Sequence, residues 1–166
     1  MERYLSHHGI KGMRWGVRRF QNPDGSLTPA GKRRAERNRK VIQREVAFQE
    51  KKISQHDAAA KAYRDSAAAM RKHGIGELKA QGYDDKTAKE ALRLASARRE
   101  TEAQWHEHQA KLMRAYNTRI SSINVDQMTR AQIYNMIRSE GNKTLDEINS
   151  TWQEPETTKE YYDATH

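Results

Sequence analysis

The residues best equipped for chemistry crowd into "SHHGIKGMRWGVRRFQNPDGSLTPAGKRR", positions 6–34, with two adjacent histidines, five glycines, one tryptophan and a run of arginines. Three chemistries suit such a set: a metal site, a phosphate cradle, or contact with a polyanion. Spacing argues against the first. His7 and His8 are neighbours, so their rings point apart, and His106 and His108 are two apart in a predicted helix. A helical zinc pair needs i, i+4 spacing, and the chain has no H-E-x-x-H. Polar surface or a hydrogen-bonded turn is the plainer role for the His7–His8 pair.

Gly9, Gly12 and Gly16 are irregularly spaced and are followed by neither a GK[ST] nor a G-x-G-x-x-G pattern, so no phosphate-loop fingerprint exists. The glycines fit a tight backbone path around Trp15. That ring either closes a miniature core with Ile10, Met13 and Val17 or stacks on a nucleic-acid base. Catalysis has the least support. There is no G-x-S-x-G, no kinase set and no cysteine nucleophile. We expect no enzyme, no cofactor and no bound metal.

The polyanion reading carries more. Residues 1–52 hold 14 Lys/Arg against 5 Asp/Glu, while residues 53–166 hold 17 of each, so the whole net charge of +9 lies in the first third. Such an arm favours polyanions: nucleic acid, acidic protein surfaces or anionic lipid. The candidate binding residues are Arg14, Trp15, Arg18, Arg19, Lys32, Arg33, Arg34, Arg37, Lys40 and Arg44. On a helix, positions 33, 37, 40 and 44 share one face, a stripe suited to tracking phosphates. A basic helix followed by heptads is the order of a bZIP protein, but the leucine register and the base-reading asparagine are missing. Backbone contact is therefore favoured over sequence reading. Solvation of the helix, or pairing with an acidic protein, is the alternative use of the same arginines.

These residues must be positioned by helices. Only 35% of residues are hydrophobic and 32% are charged, a balance usual for long solvated helices with a thin core. Asn22-Pro23-Asp24-Gly25 is a turn signal and closes a short hairpin within a basic, glycine-rich module over 1–29. Thr28-Pro29 reads as N-cap and first helical residue. A long helix follows from Ala30 to His73, with a heptad seam through Ile42, Val46, Gln49, Ile53, His56, Ala60, Tyr63, Ala67 and Met70. The glycines of "HGIGELKAQGYDD" predict a break at about 73–84. A second helix then starts at Asp84 or Asp85 and runs to Ile123. Its stripe comprises Ala88, Leu92, Ala95, Trp105, Leu112, Tyr116, Ile120 and Ile123, and is weakest at Arg98 to Glu102.

The expected fold is all-α: a long antiparallel, coiled-coil-like hairpin over 30–123, with the basic module before it. Two short helices are expected over 124–152, opened by capping boxes at Thr129 and Thr144 and separated by Gly141. An acidic, flexible tail over 153–166 closes the chain, and could lie on the basic arm. The same heptad seam serves packing within one hairpin or between two copies. With no apolar run near the roughly 20 residues of a membrane helix, no apolar leader after Met1 and no cysteine, a soluble, intracellular protein is expected.

The stretch "YLSHHGIKGMRWGVRRFQNPDGSLTPAGKRR" (4–34) resembles a short module that recurs in proteins of tailed phages and prophages of Gram-positive bacteria, often head-associated, structural or uncharacterised. His8, Gly9, Lys11, Gly12, Trp15, Gly16, Arg18, Arg19, Asp24, Gly25, Leu27, Thr28 and Gly31 carry the likeness. Arg14 stands where lysine is commoner, and Ala35 where an aromatic often follows the basic triplet. The resemblance covers about a fifth of the chain, and the body over 35–166 resembles no family. It implies a non-enzymatic phage protein, virion- or head-associated, in the host-cell cytoplasm at synthesis and then in the virion. Its basic module would dock to a capsid or packaging protein or to nucleic acid. The alternative is an inhibitor of a host defence system, of anti-CRISPR type, bound to the effector protein or its guide RNA.

Overall fold

The computed structural model describes residues 20–156 and Glu160. Among these residues it is all-α, with three helices in chain order: α1 (Pro29–Ala80), α2 (Asp85–Ser121) and α3 (Arg130–Thr151). Ahead of α1, a small hairpin is pinned by one antiparallel bridge between Gln21 and Leu27. Its turn carries Gly25 at a φ of 85°, and Asp24 accepts hydrogen bonds from both the backbone N–H and the hydroxyl of Ser26. Thr28 then caps α1 by accepting from the Gly31 N–H, with Pro29 as the first helical residue.

At 52 residues α1 is about 78 Å long at 1.5 Å per residue. It packs along α2 as an antiparallel hairpin, closed at the far end by the Lys79–Asp85 ion pair. Ala60, Ala67, Ala88, Ala103 and Ala110 are all at most 3% exposed, so much of the seam consists of side chains that let two helix axes approach closely. Salt bridges flank it: Arg114 on Asp57 and Arg71 on Glu100, with Arg64 reaching both Glu100 and Glu107. Exposed pairs of this kind align the helices more than they stabilise them.

Larger side chains gather where all three helices meet. Ile42, Tyr116, Ile120, Val125 and Ile133 form the hydrophobic cluster, with Val41, Val46, Ile123, Met128, Met136 and Ile137 packed on it. The third helix runs back along α2. Arg119 bonds Thr144 and pairs with Glu140 and Glu147, while Trp105 meets Trp152 edge-on at 5.0 Å between ring centroids.

The structure corrects three expectations. The first helix continues through Gly74 and Gly76 to Ala80, leaving a break of only four residues. Gly74 is tolerated because Leu92 of α2 fills the space a Cβ would occupy, so packing outweighs the roughly 1 kcal/mol helix penalty of glycine. The chain reverses instead at Gly82, whose φ is 92°.

Over 124–152 one helix replaces the expected two. Only the Thr129 capping box forms; Thr144 is buried mid-helix, where its hydroxyl donates to the Glu140 carbonyl and accepts from Arg119. The stripe of α2 is also two faces rather than one. Ala103, His106 and Ala110 lie along the seam, whereas Trp105 and His108 turn to the α3 end. The weak stretch at 98–102 is bridged by buried Ser96, Thr101 and Ala103. In the tail, Glu160 pairs with Arg93 of α2.

Candidate functional site

The start of α1 is held to the loop before α3 by side chains reaching backbone carbonyls. Asn38, 5% exposed, donates its amide to the Val125 and Met128 carbonyls at 2.8 and 2.9 Å. Arg34 donates Nε to Met128 O at 3.1 Å and lies over the Phe20 ring at 4.7 Å. Arg39 grips Asp126 with one nitrogen 2.7 and 2.8 Å from its two oxygens. These contacts bring the first residue of α3, Arg130, beside the first four turns of α1.

A groove results, with a cavity of about 460 Å³ lined by Arg34, Arg37, Asn38, Lys40, Val41, Arg44 and Arg130. A smaller hollow of about 210 Å³ continues it through the shared Val41 and Arg44 to Glu45, Tyr134 and Ile137. Among these five cations only Lys40 has a carboxylate partner among the described residues, Glu36 one turn earlier at 2.9 Å. That contact holds the Glu36 carboxyl below its usual range, first by hydrogen bonding and then by charge. Arg34 spends its hydrogens on carbonyls and Arg130 on the Tyr134 hydroxyl, at 3.0 and 3.3 Å, so neither charge meets a carboxylate among the described residues. Arg37 and Arg44 are exposed and have no side-chain partner among the described residues.

The acid bordering the hollow, Glu45, is held by its neighbours: it accepts from Gln49 at 2.8 Å and from the Tyr116 hydroxyl at 3.2 Å. Burial, and then the Glu45 charge, push that hydroxyl well above the ordinary tyrosine range, so it stays a donor. The net effect is a concave surface of positive potential at which Lys40 holds the one ion pair among the described residues.

Of the predicted binding residues, the groove brings together Arg34, Arg37, Lys40 and Arg44. Lys32 and Arg33 are exposed and lie outside its lining. Arg14, Trp15, Arg18 and Arg19, the His7–His8 pair and the miniature core around Trp15 fall outside the described residues. Sequence reading missed Arg130 and Tyr134. The Thr129 capping box marked where α3 starts, but nothing local says that this start returns to α1. Among the described residues no group of three or more His, Asp or Glu is placed to hold a metal ion.

Among the described residues the fold and groove define an all-α arrangement of three helices with a cationic cleft at one end. Residues 1–22 match a family of unknown function (DUF7211). That match lies within the opening module and ends before α1. No curated protein and no solved structure matches the chain.

Proposed function

We propose that this is a non-enzymatic phage or prophage protein, virion- or head-associated, that docks through the basic start of α1 onto a polyanionic partner. One observation carries the docking: five cations face one groove and only one of them has a carboxylate partner among the described residues. A protein that used these charges for its own stability would pair them, as Arg39, Arg64 and Arg114 are paired elsewhere on the same helices. The phage setting rests on the resemblance of residues 4–34. The hairpin supplies a rigid rod that holds the groove at one end, a shape suited to presenting a contact rather than enclosing a substrate.

Two measurements test this. On a heparin column the full chain is retained and elutes at high salt, and the Arg37→Glu/Arg44→Glu variant elutes far earlier. Equal elution overturns the docking. Mass spectrometry of purified particles of the encoding phage finds the chain; its absence overturns the virion association.

A further inference from the structure

Tyr134 adds something to the groove that charge alone does not require. It is 47% exposed, although it sits beside the hydrophobic cluster, and it lies where the cationic cavity runs into the second hollow. Arg130 holds the ring by its hydroxyl. The guanidinium nitrogens reach that oxygen at 3.0 and 3.3 Å while the guanidinium carbon stays 5.5 Å from the ring centroid. A cation directly over the ring could not approach the hydroxyl so closely at that centroid distance. The guanidinium therefore sits at the hydroxyl edge, leaving the ring face uncovered by it.

A charged groove that ends at an oriented, exposed aromatic ring is the combination that binds single strands: cations follow the backbone and a base stacks on the ring. Arg37 and Arg44 are two turns apart, about 10.5 Å along α1, so they reach successive parts of a strand. The exposed ring gives a duplex no advantage. Its phosphates lie on a stiff convex surface and its bases are already stacked, so it gains nothing from Tyr134. An acidic peptide would use the arginines and equally have no use for an uncovered ring.

We infer that the groove binds single-stranded nucleic acid, with phosphates on Arg37, Arg44 and Arg130 and a base on Tyr134; this rests on the polyanion-docking reading above. The test is fluorescence anisotropy of the full chain with an oligothymidylate of about 20 nucleotides, a duplex of equal length and polyglutamate, with fold checked by circular dichroism. The oligothymidylate binds more tightly than either competitor. Tyr134→Ala weakens it by about 5- to 100-fold, and Tyr134→Phe, which keeps the ring face, restores most of the affinity. Equal binding of the duplex, preference for polyglutamate, or wild-type affinity in Tyr134→Ala overturns the inference while leaving the docking groove standing. Wild-type binding of every probe by Arg37→Glu/Arg44→Glu overturns the groove itself.

Discussion

His56 of α1 and His106 of α2 face each other across the hairpin seam with their Nδ1 atoms 2.9 Å apart. At that distance one nitrogen must donate and the other accept, so the contact holds a single proton between two rings. Tyr63 stacks on His106 at 5.6 Å, and Arg99 lies over Tyr63. Burial first, and the His106 charge second, lower the proton affinity of His56; Lys52 adds to this and Asp57 opposes it.

The sign of the pH effect follows. With His56 depressed in the folded state, the unfolded chain binds more protons, so stability rises with pH. It is fully present above the ordinary histidine value of about 6.5 and falls as pH drops through it, levelling off only below the depressed native value. Urea denaturation between about pH 8 and about pH 5 should show this loss, and His56→Leu should flatten it. An equal slope in the variant would place the effect elsewhere.

Asn38 should be among the least replaceable polar residues. Asn38→Ala removes one donor from each carbonyl, leaving Val125 O with the Met128 N–H at 3.2 Å and Met128 O with Arg34. The expected loss is about 1–3 kcal/mol by denaturant titration. Asn38→Asp keeps the size but turns a donor into a carboxylate oxygen facing two carbonyls, and should cost more. Both variants should also weaken heparin retention, because the loop they loosen carries Arg130.

The hairpin was legible because its seam repeats every 3.5 residues, and every position from Ile42 to Met70 in that seam is buried or half-buried. The breaks were less legible. Glycine at 74, 76 and 141 reads as punctuation locally, yet a helix already held by tertiary contacts absorbs single penalties of about 1 kcal/mol. The α1 half of the groove was visible in the 33, 37, 40, 44 stripe, of which all but Arg33 line it. Its α3 half was not, since the approach of Arg130 depends on Asn38 capturing a loop almost 90 residues away in sequence.

The glycines of α1 and α3 should therefore respond unequally to alanine. A Cβ at Gly76 or Gly141 meets nothing within 4 Å, so Gly76→Ala and Gly141→Ala should each stabilise by about 0.5–1 kcal/mol. At Gly74 the Cβ would lie 2.4 Å from a Leu92 methyl. Gly74→Ala should gain less or lose, because Leu92 must turn aside in a close seam. Thermal melts of the three variants would rank them, and a Gly74→Ala gain equal to that of Gly76→Ala would mean Leu92 moves without cost.

Gly31 presents the sharpest conflict between helix propensity and packing. It lies in the first turn of α1, where alanine is the better helix former by about 1 kcal/mol. A Cβ there would stand 2.1 Å from the Phe20 carbonyl oxygen, which accepts the Thr28 N–H at 3.2 Å. That neighbour is backbone and cannot rotate away, so the 20–28 hairpin must lift from the helix. Gly31→Ala should lose about 1–3 kcal/mol, the usual result of overfilling a packed site. Amide exchange gives the discriminating readout: Thr28 and Asn22 lose protection while the α1–α2 seam keeps it. Arg34 should loosen as well, since Phe20 lies under its guanidinium, and heparin retention should fall. Unchanged exchange at Thr28 would show that the hairpin does not depend on the bare backbone at Gly31.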